Sequence, residues 1–395
     1  MDKLNVMVVT TSRADYGLLY PLIKKFDEDD YFHYDLAVTG SHLSALHGNT
    51  VEKIKEDGFG IAESIDITMQ NDTENDICNA IAKGLKGFSS VFQKKKFDLM
   101  IVLGDRYELW SACIAAAIHK IPIAHIHGGE VTEGAIDNSI RHSITKMAAI
   151  HFPSIDLYGK RIIQMGEKPE RVFVVGALGI DNINNIELMT KEELSIYSGV
   201  NFDKDIALMT YHPVTLDEYK DASKQIYEVL EALLETDLFV LITMPNADTG
   251  SKTIFEIIEK YIQLYPQKFQ LIKNLGQRAY LSAMKYAKLM IGNSSSGIIE
   301  SASFKLPVVN IGDRQAGRFK PGNVVDVSCS KSAIISAIYK VLSNDFMKSI
   351  SNIENPYGDG NTAERIIKVL KSIDFNKRSN LLKKEFYHLY NLKLN

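Results

Sequence analysis

Residues 289–300 read LMIGNSSSGIIE, and their order of apolar, small and apolar residues is the clearest indication of the fold. The first apolar residues predict a buried strand, the small residues 292–297 predict a turn, and the apolar residues after them predict a helix. In an open parallel sheet, ligands bind outside the carboxyl ends of the strands, which is where this turn falls. Its N–H groups and the hydroxyls of Ser294, Ser295 and Ser296 suit phosphate oxygens, and Glu300 suits a ribose diol. The alternative is a serine N-cap followed by a solvent-facing glutamate.

The same order of strand, polar turn and helix recurs through both halves of the chain, as in a parallel sheet with helical crossovers. We therefore predict an α/β fold of two Rossmann-like, doubly wound domains at residues 1–180 and 190–362. Residues 363–395 are predicted to form helices, at Ala363–Ser372 and Arg378–Leu392, that pack back on the first domain. Strands are predicted at Val6–Thr10, Tyr34–Thr39, Leu99–Gly104, Ile121–Ile126, Ala149–Phe152, Val172–Val175, Ile206–Thr210, Phe239–Thr243, Phe269–Ile272, Leu289–Ile291, Val308–Ile311 and Val324–Val327.

The composition narrows the possible partners and the compartment. The 395 residues are 45% hydrophobic and carry a formal net charge of −4, which argues against a nucleic-acid partner or an acidic membrane surface. No apolar run approaches the roughly 18 residues that span a bilayer. The 3 cysteines are widely spaced and no two of them form a CxxC motif, which suits a reducing cytoplasm. These features predict a cytoplasmic enzyme.

Polar residues also follow the strands of the first half. Arg13 and Asp15 follow the first strand, Asp105 and Arg106 follow the Leu99 strand, and the sequence HIHGGE occupies residues 125–130. A carboxylate such as Asp105 suits acid or base chemistry and a guanidinium suits phosphate, with a structural salt bridge as the alternative. Because polar groups end strands in both halves, we predict a cleft lined from two sides.

No metal or cofactor is expected. A metal site could be considered at His125, His127 and Glu130, since these residue types bind metal ions. However, the two histidines alternate with Ile126 on a strand end, and no HExxH helix is present. Neither a GxxxxGKS/T loop nor a GxGxxG loop follows the first strand, which disfavours ATP hydrolysis and hydride transfer. Asp137 and Arg141 lie four residues apart on one helix face, where a simple ion pair is the ordinary interpretation.

Taken together, these motifs resemble those of the hydrolysing UDP-N-acetylglucosamine 2-epimerases, which supply N-acetylmannosamine for sialic acid synthesis. The resemblance runs from about Asn5 to about Arg318. The motifs that carry it, in order along the chain, are Ser12–Tyr16, Gly104–Arg106, His125–Glu130, Ile136-Asp137 with Arg141-His142, His212–Thr215, Gly292–Ser295 with Glu300, and Arg314–Arg318.

The resemblance implies a GT-B-type pair of domains with a UDP-linked amino sugar in the cleft, no cofactor, and a homodimer or homotetramer. Matched position by position, Asp105 and Asp137 correspond to catalytic carboxylates. The residues that correspond to contacts of the UDP moiety are His212, Ser294, Ser295, Glu300 and Arg314, and further substrate contacts are Arg13, Arg106 and Asn246. Ser296 is expected to join the phosphate site.

The implied reaction eliminates UDP from C1 as a base takes the C2 proton, and then hydrates the resulting 2-acetamidoglucal. This chain departs from several relatives by carrying His127 where they carry a catalytic glutamate, so either His127 or Glu130 takes that proton-transfer role. It also has Asn138 where relatives often have an acidic residue. The alternatives are the same chemistry on a UDP-2,4-diacetamido-trideoxyhexose, a GT-B glycosyltransferase, or a UDP-sugar sensor.

Overall fold

The computed structural model describes residues 3–44, 50–69, 73–132, 136–212, 219–244, 251–273 and 275–389. These residues form two compact units. Unit 1 falls within Met1–Glu130, Ile136–Asn182 and Gly358–Asn395, and unit 2 falls within Val131–Ala135 and Ile183–Tyr357. None of the helices in the described ranges is both long enough and apolar enough to cross a membrane.

Unit 1 is built on a six-stranded parallel sheet with the strand order β3-β2-β1-β4-β5-β6, which is the Rossmann order. The strands are β1 (Leu4–Thr10), β2 (Phe32–Thr39), β3 (Ile61–Ile65), β4 (Leu99–Leu103), β5 (Ile123–Ile126) and β6 (Ile150–Phe152). All five residues of β4 are buried, as expected for a central strand that helices cover on both faces.

The helices of unit 1 cover both faces of its sheet. They are α1 (Arg13–Asp27), α2 (Val51–Glu56), α3 (Glu74–Lys94), α4 (Tyr107–Ile118), α5 (Ile136–Met147), α6 (Asp156–Gln164) and, at the passage to unit 2, α7 (Leu178–Asn185). Successive residues of β1 point to opposite faces, so Val6 and Val8 join one apolar core and Met7 and Val9 join the other.

Unit 2 repeats this architecture, with the strand order β12-β11-β10-β7-β8-β9. Its strands are β7 (Ile206–Thr210), β8 (Phe239–Thr243), β9 (Phe269–Ile272), β10 (Leu289–Gly292), β11 (Val308–Ile311) and β12 (Val324–Val327). Its helices are α8 (Lys191–Ser198), α9 (Tyr219–Leu234), α10 (Ser251–Leu264), α11 (Gly276–Tyr286), α12 (Ser296–Ile299), α13 (Lys331–Leu342) and α14 (Asn344–Ile350). The two sheets confirm the predicted α/β fold with two doubly wound Rossmann-like domains.

After unit 2 the chain returns to unit 1, where α15 (Thr362–Ser372) packs against α1. The helix predicted at Arg378–Leu392 ends earlier, because α16 spans only Arg378–Leu382 and residues 383–389 are not helical, while residues 390–392 lie outside the described residues. The described residues that follow are irregular because tertiary contacts replace helical ones: Tyr387 N–H donates to the Gly166 carbonyl at 2.8 Å.

Two other elements differ from the prediction. The strand predicted at Val172–Val175 is wrong, since only Val172 forms a bridge, to His151. Pro153, which follows β6, has no N–H to extend the ladder. The edge strand β3 was missed because it is short and its partly exposed residues interrupt the apolar pattern.

The strand order places the candidate site residues. Each sheet reverses its winding between its first and fourth strands, β1 and β4 in unit 1 and β7 and β10 in unit 2. Connections leave these neighbouring strands in opposite directions, so a crevice opens at their carboxyl ends. The loops that carry the predicted residues follow these strands in both units.

Candidate active site

In unit 1, Arg13, Asp105 and Arg106 lie at the switch point. Arg13 is the exposed first residue of α1, and two residues, Thr11 and Ser12, separate it from the end of β1. Asp105 and Arg106 follow β4, directly before α4. The Arg106 guanidinium contacts Glu108, with Nε 3.3 Å from Oε2, and about half of its side chain remains exposed. This arrangement leaves both guanidinium groups within reach of an anionic ligand.

The loop after β1 is held by a buried carboxylate. Asp15 accepts hydrogen bonds from the Thr10 hydroxyl at 2.7 Å, from Thr11 N–H at 2.8 Å and from Ser12 N–H at 2.8 Å. The Thr10 hydroxyl also lies 3.0 Å from His42 Nε2. Asp15 therefore fixes the start of α1 and the position of Arg13, a role that the sequence motif did not distinguish from ligand binding.

A chain of four side chains forms the centre of the unit 1 site. His127 Nδ1 lies 2.6 Å from Glu130 Oε1. Glu130 Oε2 accepts a hydrogen bond from Arg141 Nη1 at 3.4 Å, and Arg141 Nη2 donates to Asp105 Oδ2. Ser154 adds a hydroxyl that donates to Glu130 Oε1 at 3.2 Å. The structure thus brings three predicted catalytic residues together through Arg141, although the spacing of Arg141 from Asp137 by itself predicts just an ion pair on one helix face.

Burial makes this chain electrostatically strong. The side chains of Arg141 and Glu130 are 4% and 3% exposed, while that of Asp105 is 20% exposed. One buried guanidinium therefore binds two carboxylates, of which Glu130 is buried and Asp105 is partly exposed to solvent. Charge-assisted hydrogen bonds of this kind fix geometry as well as charge. Asp137 lies in the first turn of α5, one helical turn before Arg141.

The backbone at His127 has an uncommon conformation. Its φ is +64°, in the left-handed region that residues with a Cβ seldom adopt. The peptide is held by a hydrogen bond from His127 N–H to the Phe152 carbonyl at 3.1 Å. Such strain persists only where the surroundings determine it, and it occurs often at functional sites.

His125 has a structural role. Its Nε2 lies 2.8 Å from the Gly104 carbonyl and its Nδ1 lies 3.1 Å from the Thr145 hydroxyl. Complete burial lowers the pKa of His125 to about 3, so the ring is neutral and joins the end of β4 to α5. Among the described residues, no three His, Cys, Asp or Glu side chains are grouped as metal ligands would be.

In unit 2, Asn293 organises the loops after β7 and β10. Its Oδ1 accepts a hydrogen bond from His212 N–H at 2.7 Å and its Nδ2 donates to the His212 carbonyl at 2.8 Å. Its own carbonyl accepts from Arg314 Nη1 at 3.1 Å and from Gln315 Nε2 at 2.9 Å. The predicted residues His212 and Arg314 therefore meet around Asn293, while Gln315 was not predicted. Burial, and then the charge of Arg314, lowers the pKa of His212 to about 3.

The turn at the end of β10 requires glycine. Gly292 has a φ of +131°, and a Cβ there would collide with the Thr210 carbonyl oxygen of β7. The helix that follows, α12, is a single turn that ends before Glu300, so its dipole is weaker than a long helix would provide. Ser295 occupies its N-cap but makes no side-chain capping bond, contrary to the serine N-cap alternative.

Ser294, Ser295 and Ser296 are partly exposed, as an anion-binding turn needs, and Glu300 is partly exposed as well. Asn246, the remaining predicted contact, lies outside the described residues.

Comparison with known proteins places these features in one family. The sequence model described as UDP-N-acetylglucosamine 2-epimerase matches residues 24–371. The UDP-N,N'-diacetylbacillosamine 2-epimerase (hydrolyzing) of Legionella pneumophila is 39% identical over 94% of this chain and 97% of its own length. Polysialic acid biosynthesis protein P7 of Escherichia coli is 38% identical over 97% of each chain.

The fold agrees as well. The crystal structure of UDP-GlcNAc 2-epimerase from Neisseria meningitidis bound to UDP-GlcNAc superimposes with a TM-score of 0.81, at 18% identity, over 94% of this chain and 100% of that one. The family model covers most of the chain and the first relative nearly all of it, which confirms the resemblance inferred from the motifs. The chain belongs to the UDP-N-acetylglucosamine 2-epimerase family.

Proposed function

We propose that this chain is a hydrolysing 2-epimerase of a UDP-linked 2-acetamido sugar, releasing UDP and the free 2-epimer. The observation that carries the proposal is the linked set of His127, Glu130, Arg141 and Asp105 at the switch point of unit 1. Proton donors and acceptors there lie beside a guanidinium that is already bound to carboxylates. Family membership supports the same reaction class.

The reaction needs a base, an acid and a group that stabilises the leaving diphosphate. C2 has no adjacent carbonyl, so its proton is not acidic enough for simple deprotonation. Loss of UDP from C1 as the C2 proton is taken gives 2-acetamidoglucal. Water then adds to C1 while a proton reaches C2 from the opposite face. Asp105, His127, Glu130 and Asp137 form the proposed proton-transfer set.

The UDP moiety is proposed to bind to the polar loops of unit 2. The N–H groups and hydroxyls of the turn that holds Ser294, Ser295 and Ser296 suit the diphosphate, and Arg314 adds charge. His212 stays neutral and is suited to hydrogen bonding, because its pKa is near 3. Glu300 is proposed to accept from the ribose hydroxyls. Arg13, Arg106 and Asn246 are proposed to make further substrate contacts. These charges would stabilise the departing UDP without a metal ion or a cofactor.

For the sugar, we favour UDP-N,N'-diacetylbacillosamine, a 2,4-diacetamido-2,4,6-trideoxyhexose. The support is the Legionella relative, whose name states both this substrate and hydrolysis. UDP-N-acetylglucosamine is the second candidate, supported by the family description and by the 38% identical relative named for polysialic acid biosynthesis. The two sugars differ at C4 and C6. N-acetylglucosamine has a hydroxyl at C4 and a hydroxymethyl group at C6, where the diacetamido sugar has an acetamido group and a methyl group.

The test is UDP release from each nucleotide sugar by the purified protein with no acceptor added. We expect turnover of both, with kcat/KM at least about tenfold higher for the diacetamido sugar, since a pocket shaped for the extra groups loses their contacts with the simpler sugar. The reverse preference would select UDP-N-acetylglucosamine. UDP release only after addition of an acceptor would indicate a transferase, and binding without turnover a sensor; either would overturn the proposal.

The family resemblance also supports a homodimer or homotetramer. Light scattering after size exclusion would test this, with a mass near one 44.3 kDa chain as the contradicting result.

A further inference from the structure

We propose that the His127 imidazole is the base that takes the C2 proton through Nε2, and that Glu130 is a positioning residue that holds the ring in the required tautomer. This inference rests on the proposed function and assigns the atom that moves the proton. It also explains how the chain manages without a glutamate at position 127.

The hydrogen-bond geometry determines the tautomer. An ionised carboxylate can only accept hydrogen bonds, so at 2.6 Å from Glu130 Oε1 the proton of the neutral ring resides on His127 Nδ1. Nε2 then carries a lone pair. Among the described residues, Nε2 is buried and has no hydrogen-bond partner. A buried, unpartnered acceptor is costly unless a ligand or a transferred proton uses it.

Glu130 is itself fixed from two further directions. Ser154 donates to the same oxygen that faces His127, and Arg141 donates to the other oxygen. Oε1 is bonded to His127 and Ser154 and Oε2 is bonded to Arg141, whereas Nε2 of His127 has no hydrogen-bond partner among the described residues. The difference in partners therefore favours Nε2 over Glu130 as the atom that takes a proton from the substrate. The imidazolium that forms when Nε2 gains a proton lies against this carboxylate and is stabilised by it.

Other titratable and charged groups lie near the pair on several neighbouring elements. They are Asp105 after β4, His125 on β5, Arg141 and His142 on α5, His151 on β6 and Arg161 on α6, while Asp137 lies one helical turn before Arg141. Burial lowers the pKa of His125 to about 3 and also lowers the pKa of His142 and of His151, so these rings stay neutral near pH 7. Glu130 lies within hydrogen-bond distance of His127, at 2.6 Å, so its carboxylate contacts the ring directly.

The proposed step is balanced within the substrate and the ring. The C2–H bond breaks and its proton joins Nε2, its electron pair forms the C1–C2 double bond, and the C1–O bond breaks with its pair leaving on UDP. The products are 2-acetamidoglucal, UDP and the imidazolium, which later returns its proton to water. Protonation of C2 during hydration comes from the opposite face, and we assign it to a different group.

The left-handed backbone allows a clean substitution. Asparagine tolerates positive φ better than other residues with a Cβ and cannot serve as a base at neutral pH, so His127→Asn should fold. We expect elimination of UDP to fall by about 10²–10⁴-fold. Hydration of added 2-acetamidoglucal should stay within about tenfold of the unsubstituted protein, since another acid performs it. The matched control is Lys120→Asn, because Lys120 is exposed with a φ of +57° and lies outside the site.

Two outcomes would overturn the assignment: elimination that survives in His127→Asn, or hydration that is lost to the same extent as elimination. Chemical rescue provides a second readout. Glycine adopts positive φ freely, so His127→Gly leaves a cavity without backbone strain. Added imidazole should restore elimination in a concentration-dependent manner, and failure of rescue in a folded variant would count against a proton-transfer role.

The role of Glu130 is tested through the pH profile. In Glu130→Gln the imidazolium loses its carboxylate partner, so the acidic limb of kcat/KM should move to lower pH, whereas in Glu130→Asp the limb should stay close to its position in the unsubstituted protein. An unmoved limb would reduce Glu130 to a structural residue.

Histidine ¹⁵N NMR of the protein without substrate separates this inference from the proposed function. With signals assigned through His127→Asn, we expect a protonated Nδ1 and a bare Nε2. The opposite tautomer would overturn the inference even in an active enzyme. If no UDP-sugar turned over, the proposed function would fail while the tautomer was still measured.

Discussion

The sharpest energetic consequence of the structure concerns Arg141. Replacing it by methionine keeps much of the side-chain volume but removes the guanidinium that bonds to both Asp105 and Glu130. Removing one partner of a buried ion pair costs about 3–5 kcal/mol, because a charge is left buried and uncompensated. Water can reach Asp105, which is 20% exposed, but much less of Glu130, at 3%. We therefore expect the free energy of unfolding of unit 1 to be about 3–5 kcal/mol lower in Arg141→Met than in the unsubstituted protein.

A matched control lies in the same unit. Arg365 donates to both oxygens of Asp359, but these side chains are 42% and 56% exposed. Exposed pairs contribute about 0–1 kcal/mol, so Arg365→Met should lose far less. Arg141→Lys should fall between wild type and Arg141→Met, because one ammonium does not reproduce the fork geometry of a guanidinium.

The assay is urea unfolding followed by tryptophan fluorescence. The sequence has 1 tryptophan, Trp110, which lies on α4 in unit 1, so the signal reports on the unit that carries the substitution. This matters because a chain with two units need not unfold in one step. Equal losses in Arg141→Met and Arg365→Met, within about 1 kcal/mol, would refute the view that Arg141 compensates buried charge.

Two further predictions concern Gly292 and Lys384. Gly292→Ala forces a Cβ against the Thr210 carbonyl at a φ of +131°, so UDP binding measured by calorimetry should be lost or weakened at least about tenfold. The control Gly322→Ala should bind UDP normally, because a Cβ at Gly322 would make only ordinary contacts. Normal UDP binding by Gly292→Ala would contradict the requirement for glycine in this turn. Burial lowers the pKa of Lys384 to about 8 despite its contact with Glu167. Between about pH 8 and 10.4, this lysine binds more protons in the unfolded chain than in the folded chain. Its contribution to the free energy of unfolding therefore rises with pH in this range. The urea midpoint of the unsubstituted protein should therefore rise relative to that of Lys384→Met as the pH goes from 7.5 to 10. A difference between the two midpoints that stays constant with pH would contradict this.

The sequence predicted the positions of the site because parallel strands have a fixed polarity. Apolar runs marked the strands, and the polar residues directly after them had to lie at one edge of each sheet. Asp105, Arg106 and Ser294 follow their strands as expected. The repeated alternation of strand and helix predicts two doubly wound domains, and the motifs resemble those of the family to which the chain belongs.

What the sequence did not predict depends on contacts between distant residues. Arg141 joins Asp105, 36 residues away, to Glu130, and helical spacing indicated only its relation to Asp137. The hydrogen bonds of Asn293 to the loop after β7 span 81 residues, so its organising role had no local signal. The positive φ of His127 is equally invisible, because nothing in the letters HIHGGE distinguishes a histidine in that conformation from an extended one.

In the proposed reaction, this chain eliminates UDP with loss of the C2 proton and then hydrates the product. The most direct measurement is proton NMR of the reaction in D₂O containing EDTA, with UDP-N,N'-diacetylbacillosamine as substrate. We expect free UDP and a free 2-epimeric sugar that carries deuterium at C2, formed at the same rate with or without EDTA. A product that keeps its C2 hydrogen, or an epimer that remains linked to UDP, would contradict it.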